Sequence, residues 1–220
     1  MSNQIIKYKF SLVKRMDYAI SVTNKLLSLP LLEKADEFAA AGLKKFQYPT
    51  NDYHRAIEDF NMAIKIYPKE PYYYRYRSWA KKKLGDLQGV LSDQNKEIEL
   101  SPLNPISYLN RAYTKSKLGD LSGAVADYSK AIEFEPLNSY YYNYRADIKE
   151  KMGDFAGAID DYNKLIELKE IARTGYYKRG KIKHENGDKT AYHDWKMAAE
   201  LGNPWAEKLL QTHYPDFPKE

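Results

Sequence analysis

The side chains best suited to chemistry are few and scattered. Histidines stand at positions 54, 184, 193 and 213, and the chain has no cysteine. No His-Glu-x-x-His pair is formed, so the spacing of a helical zinc site is missing. Asp160 and Asp161 are adjacent carboxylates, but neighbouring helix positions point about 100° apart, which is not the arrangement of an acid/base dyad. The glycines do not group into a phosphate cradle. From these residues we expect no catalytic residue, metal or cofactor. The lack of cysteine excludes disulfides, thiolate nucleophiles and cysteine-ligated zinc together, and it fits a reducing compartment.

A basic series is more informative. Arg77, Arg111, Arg145 and Arg179 recur every 34 residues, and Lys81, Lys115, Lys149 and Lys183 follow each of them by four. Like charges four apart on a helix repel, so something must answer them. The candidates are Asp59, Asp93, Asp127, Asp161 and Asp194. The series reads either as a basic stripe for phosphate or RNA, or as an internal arginine–aspartate ladder that uses the bidentate fork of guanidinium. A position repeated in every unit of an array usually serves its stacking, which favours the ladder. For Arg145 two carboxylates qualify, Asp161 in the same unit and Asp127 in the one before.

The elements that must position these residues keep the same interval. Gly85-Asp86, Gly119-Asp120, Gly153-Asp154 and Gly187-Asp188 are 34 residues apart, as are Pro68, Pro102 and Pro136. Such a period implies stacked supersecondary units, none able to bury its apolar face alone. Within a unit, Tyr108, Ala112 and Leu118 precede the Gly-Asp turn, and Ala124, Tyr128, Ala131 and Ile132 follow it. Spacings of three, four and seven predict two helices per unit, here called A and B. Glycine supplies the left-handed end of helix A, aspartate caps helix B, and proline stops it. Alanines let the backbones approach while Tyr108 and Tyr128 fill the gaps.

The pattern of Tyr108, Ala112, Ala124, Tyr128, Ala131 and Pro136, repeated as Tyr142, Ala146, Ala158 and Tyr162, resembles the tetratricopeptide repeat in its bacterial form, over roughly residues 37 to 203. The resemblance implies an all-α, right-handed α-solenoid of antiparallel helix pairs, with core positions at Tyr74, Tyr108, Tyr142 and Tyr176. It also implies that helix A lines a concave groove. In that register the groove carries Tyr72, Arg75, Trp79, Lys82 and Lys83, then Asn110, Tyr113 and Lys117. Tyr140, Asn143, Tyr144 and Asp147 come next, followed by Tyr177, Lys178 and Lys181. Aromatic anchors beside arginine and asparagine have the composition of a binding hot spot. The family's clamp for the C-terminal carboxylate of heat-shock chaperones is not expected, because Trp79, Tyr140 and Tyr144 stand where its polar residues belong.

Departures from the pattern locate the ends. Residues 34–203 read as five repeats, the first with extra residues from Gln47 to Thr50 in its inter-helix loop. The second has Val90, Gln94 and Glu97 at small or aromatic positions, so looser packing is expected there. The last is one residue shorter before helix B and carries Trp195 in place of tyrosine. Residues 1–33, where Asp17 to Pro30 resembles a decayed helix B, read as a degenerate extra pair. Residues 204–220 read as a C-terminal capping helix and tail.

The first ten residues interleave charges with apolar side chains, unlike a signal peptide, and no apolar run is long enough to span a bilayer. A cytoplasmic protein is expected. The net charge of +5 leans toward acidic partners but is short of a nucleic-acid signature. The expected function is a scaffold or adaptor, not an enzyme, holding a peptide segment or C-terminal tail of another protein in the groove. The alternative is single-stranded RNA, with tyrosines stacking bases and Lys/Arg holding phosphates.

Overall fold

A computed structural model of the protein describes residues 28–47 and 49–214. Among these residues there are eleven α-helices and no strand. Helix α1 occupies 28–46, followed by α2 (Tyr53–Ile66), α3 (Pro71–Lys83) and α4 (Leu87–Leu100). Then come α5 (Pro105–Lys117), α6 (Leu121–Phe134), α7 (Ser139–Lys151), α8 (Phe155–Leu168), α9 (Ala172–Glu185), α10 (Ala191–Glu200) and α11 (Pro204–His213). They form two compact units, one ending at Leu100 and the other starting at Ser101. In each unit, consecutive helices pack on one another and short turns return the chain, giving the expected helix pairs and the final helix.

The turns behave as their residues dictate. Gly85, Gly119, Gly153 and Gly187 take φ between 74° and 86°, a region that costs other residues energy. The aspartate after each of the first three caps the next helix, accepting from the amides of Gly89, Gly123 and Gly157 at 2.9 Å. In the shorter last turn, Asp188 accepts from Thr190 N at 2.8 Å instead, and α10 starts at Ala191 without a side-chain cap. Pro30 lies inside α1, which runs unbroken across the 33/34 boundary; residues 17–27 of the proposed decayed helix lie outside the described residues.

No single large core forms. Instead, within each unit helix pairs close small clusters with the next helix A. In the first unit Ala35, Ala39, Ala63 and Tyr73 form one such cluster, and Ala56, Phe60 and Ala80 another. In the second, Ala112, Ala124, Tyr128 and Ile148 group together, then Ala146, Ala158, Tyr162, Leu165 and Ile182. The terminal cluster joins Trp195 and Ala198 of α10 to Ala206 and Leu210 of α11, so α11 covers the face that α10 would otherwise leave to water.

The tyrosines sort differently from expectation. Tyr74 and Tyr142 are buried, but Tyr108 and Tyr176 are half-buried. Tyr73 and Tyr141, one residue earlier, are more completely enclosed, with Ser107 and Gly175 in the same row. The hydroxyls of Tyr74, Tyr108 and Tyr142 donate to the carbonyls of Pro68, Pro102 and Pro136 at 2.9–3.0 Å. These rings therefore tie each helix A to the preceding turn as well as filling space.

Candidate functional site

The basic ladder is internal. Nε and Nη2 of Arg145 donate to the two oxygens of Asp161 at 2.9 and 2.6 Å, so the partner lies in the same unit. Arg77, Arg111 and Arg179 grip Asp93, Asp127 and Asp194 with the same fork. Lys81, Lys115, Lys149 and Lys183 reach those same four aspartates at 2.9 Å. Two cations four residues apart thus converge on one buried carboxylate, which answers their repulsion. A third guanidinium nitrogen reaches the preceding helix B, from Arg77 to Asn61, Arg145 to Ser129 and Arg179 to Asn163. The Asp127 hydrogen bonds hold Arg111 above its ordinary pKa. Each arginine also lies 5.4–5.7 Å from the ring centre of its core tyrosine.

None of the proposed groove residues is buried. In the first unit Trp79 is exposed, at 40%, and so is Lys82, while Tyr72 and Arg75 are half-buried. Both of the latter have internal partners. Tyr72 and Tyr73 each donate to Oδ1 of Asp36, at 2.7 and 2.5 Å, and burial followed by this hydrogen bond pushes both phenols up in pKa. Arg75 pairs through Nε and Nη2 with Glu97 at 2.8 Å. Glu97 is buried, as are Val90 and Gln94. The departures in the second repeat are thus enclosed, and the glutamate's charge is matched by Arg75. The Gln94 carbonyl oxygen is buried without a hydrogen bond.

In the second unit Tyr113, Tyr140 and Tyr144 are 42%, 45% and 40% exposed, and Lys117 and Lys181 are exposed beside them. Asn110, Asn143, Asp147, Tyr177 and Lys178 are half-buried. Tyr144 stacks on the buried ring of Tyr128, with centres 5.9 Å apart and planes at 27°. Tyr128 is pushed up to about 12 by burial first, then by the nearby charges of Tyr144, Asp147 and Tyr113. Lys178 of α9 reaches across to α7, donating to Oδ1 of Asn143 at 3.1 Å and Oδ1 of Asp147 at 2.5 Å. The Tyr162 hydroxyl lies 2.9 Å from Oδ1 of Asp147 and 2.6 Å from Oε2 of Glu150, and its one proton is shared between these two acceptors. Lys117 lies 5.5 Å over the Tyr113 ring. The helix-B tyrosines therefore brace the exposed face from behind. The sequence reading assigned them to packing alone, although a hydroxyl on a ring enclosed in a core needs a partner and could have signalled this role.

Among the described residues, no group of three or more His, Asp or Glu side chains is arranged to hold a metal ion, and no helix is long and apolar enough to cross a membrane. The site is a set of aromatic and polar side chains on helix surfaces, and the fold that carries it is that of a helical-repeat protein. The sequence model of the tetratricopeptide repeat matches residues 106–136 and 139–171, which are the α5/α6 and α7/α8 pairs. The α5/α6 and α7/α8 pairs are thus tetratricopeptide repeats, and the Gly-Asp spacing of 34 residues continues on either side of them. No curated protein sequence matches it significantly.

Solved structures share the architecture. A MamA crystal structure is similar with a TM-score of 0.69 at 18% identity, over 86% of this chain and 98% of that one. YrrB, described as a tetratricopeptide-repeat protein with an unusual peptide-binding site, gives 0.66 at 13% identity, over 89% and 97%. The first tetratricopeptide domain of Spaghetti (RPAP3), bound to the HSP90 peptide SRMEEVD, gives 0.51 at 24% identity, over 56% and 95%.

Proposed function

We propose that this protein is an interaction scaffold that holds a peptide segment of a partner protein against its helix-A surfaces. The observation carrying this reading is the set of exposed rings on successive A helices of the second unit, Tyr113 on α5 and Tyr140 and Tyr144 on α7. Flat amphipathic rings offer large contact area at low entropic cost, and such anchors dominate peptide and protein interfaces. Asn143 and Lys178 stand beside them to meet a peptide backbone or carboxylate. Two proteins of the same fold, YrrB and the RPAP3 domain, are described as binding peptides, which supports the reading by analogy of fold. The stripe that would have held RNA phosphates is already paired with Asp93, Asp127, Asp161 and Asp194. Trp79 of the first unit is a second proposed anchor. A chain without cysteine suits the cytoplasm, the compartment we propose for it.

The test uses a partner recovered with the full chain and then purified. Tyr113→Ala with Tyr144→Ala should weaken binding to it by about a hundredfold, a loss of a few kcal/mol. The circular dichroism spectrum should stay that of the parent. A folded double variant that binds as tightly as the parent would remove the second-unit face from the proposal.

A further inference from the structure

We infer that the strip formed by Tyr140, Asn143 and Tyr144 on α7, with Tyr113 beside it, is built for a proline-rich segment in the polyproline II conformation. This rests on the peptide-scaffold reading and adds the chemistry of the peptide.

The argument is a count of donors and acceptors. An ammonium can only donate, so the contact with Lys178 engages the amide oxygen of Asn143 and leaves that side chain only N–H groups to offer. The same lysine neutralises Asp147, whose Oδ1 also accepts from Tyr162. Glu150 Oε2 shares the one Tyr162 proton with Asp147. Neither the Tyr140 nor the Tyr144 hydroxyl makes a hydrogen bond within the described residues. The strip therefore presents ring faces, the N–H groups of Asn143 and two hydroxyls able to donate, while the Asn143 oxygen and Asp147 Oδ1 beside it are engaged.

A ligand matching that surface needs carbonyl oxygens, few N–H groups and flat apolar side chains. Proline has no N–H and carries a rigid apolar ring, and its polyproline II helix has no internal hydrogen bonds, so every carbonyl is available. Other peptide classes fit less well. An extended strand needs alternating donors and acceptors, as at a sheet edge, and the described residues contain no strand. An acidic peptide needs a cation within the strip, and the lysine that touches it, Lys178, is paired with Asp147. The rings also have the right support. Tyr140 and Tyr144 are four residues apart and so share one helix face, and Tyr144 is backed by Tyr128. Aromatic-lined surfaces of this kind are a recurring solution for proline-rich segments, because the ligand is ordered before it binds.

The test titrates the full-length chain into a fluorescein-labelled decaproline peptide and follows polarisation. Saturable binding is expected, changing less than about twofold between low and moderate salt. Replacing both hydroxyls, Tyr140→Phe with Tyr144→Phe, should weaken it by about tenfold, and Asn143→Asp, which turns the donor into an acceptor, by at least as much. Lys130→Ala, on the exposed surface of α6, should leave it unchanged. Absence of binding, or variants that bind like the parent, would overturn the inference. So would oligouridine that binds through the same tyrosines with a steep salt dependence. A random-peptide display selected on the same chain separates the two levels of the reading. Proline-poor peptides that lose binding on Tyr144→Ala would end the proline inference and leave the peptide scaffold standing. If no displayed peptide depends on these tyrosines and Tyr113→Ala with Tyr144→Ala spares partner binding, both readings fail at this face.

Discussion

Arg145 shows how one residue of this array does several jobs. Its Nε and Nη2 fix Asp161 on its own helix B, its Nη1 takes Ser129 from the preceding one, and its guanidinium lies near the Tyr142 ring. Arg145→Ala removes all of these and leaves the buried Asp161 with Lys149 alone. We expect a stability loss of about 1.5–3 kcal/mol, read as a lower midpoint in urea unfolding. Arg145→Lys should recover little of it, because an ammonium cannot reproduce a planar fork with a third arm. A full rescue by lysine would mean that charge alone, not geometry, matters here.

The second repeat carries an exchange of core chemistry. In the row of Glu97, the other helix-B residues are Ala63, Ala131, Leu165 and Ala198, and in the row of Arg75 the other helix-A residues are Leu109, Asn143 and Tyr177. The two departures meet in one ion pair between α3 and α4, with Glu97 fully buried and Arg75 partly in solvent. Removing one partner of such a pair leaves the other's charge uncompensated, whereas replacing both by apolar groups is often neutral. Glu97→Ala should therefore destabilise by about 1–3 kcal/mol, moderated by the exposure of Arg75. The double change Glu97→Ala with Arg75→Leu should regain most of that loss in thermal melts. Additive losses in the double variant would show that the pair is not an interacting unit.

At the scale of the whole molecule, stability is spread over small clusters whose large members include buried tyrosines, among them Tyr73, Tyr128 and Tyr162. Tyr128 and Tyr141 are pushed up to about 12, and Tyr73 and Tyr162 higher still, in each case chiefly by burial. A phenol whose folded pKa exceeds its unfolded value of about 10 favours the folded state while it stays protonated. The contribution is complete below pH 10 and disappears as pH rises toward 12. Helicity should accordingly hold at mildly alkaline pH and be lost in that window. The four buried phenols should ionise only with that loss. Early ionisation of all tyrosines at constant helicity would contradict the burial described here.

Much of this could be read along the sequence, because a tandem array writes its local geometry once per period. The 34-residue spacing of Gly-Asp and of proline fixes where helices stop and start, since positive φ, an N-cap and a missing N–H are properties of single residues. The alanine and tyrosine rows gave the helix pairs, and the repetition of Arg and Asp pointed to a ladder. Partnership was not legible in the same way. That Arg145 pairs with Asp161 and not Asp127, that Arg75 is held by Glu97, and that Tyr73 and Tyr141 outrank Tyr108 and Tyr176 in burial all depend on which helix lies against which. The register of helix A named surface residues, but only the packed helices decide which of their atoms are already engaged. At Asn143 the sequence shows an amide that can give and take hydrogen bonds; Lys178, arriving from α9, takes its oxygen and leaves a donor.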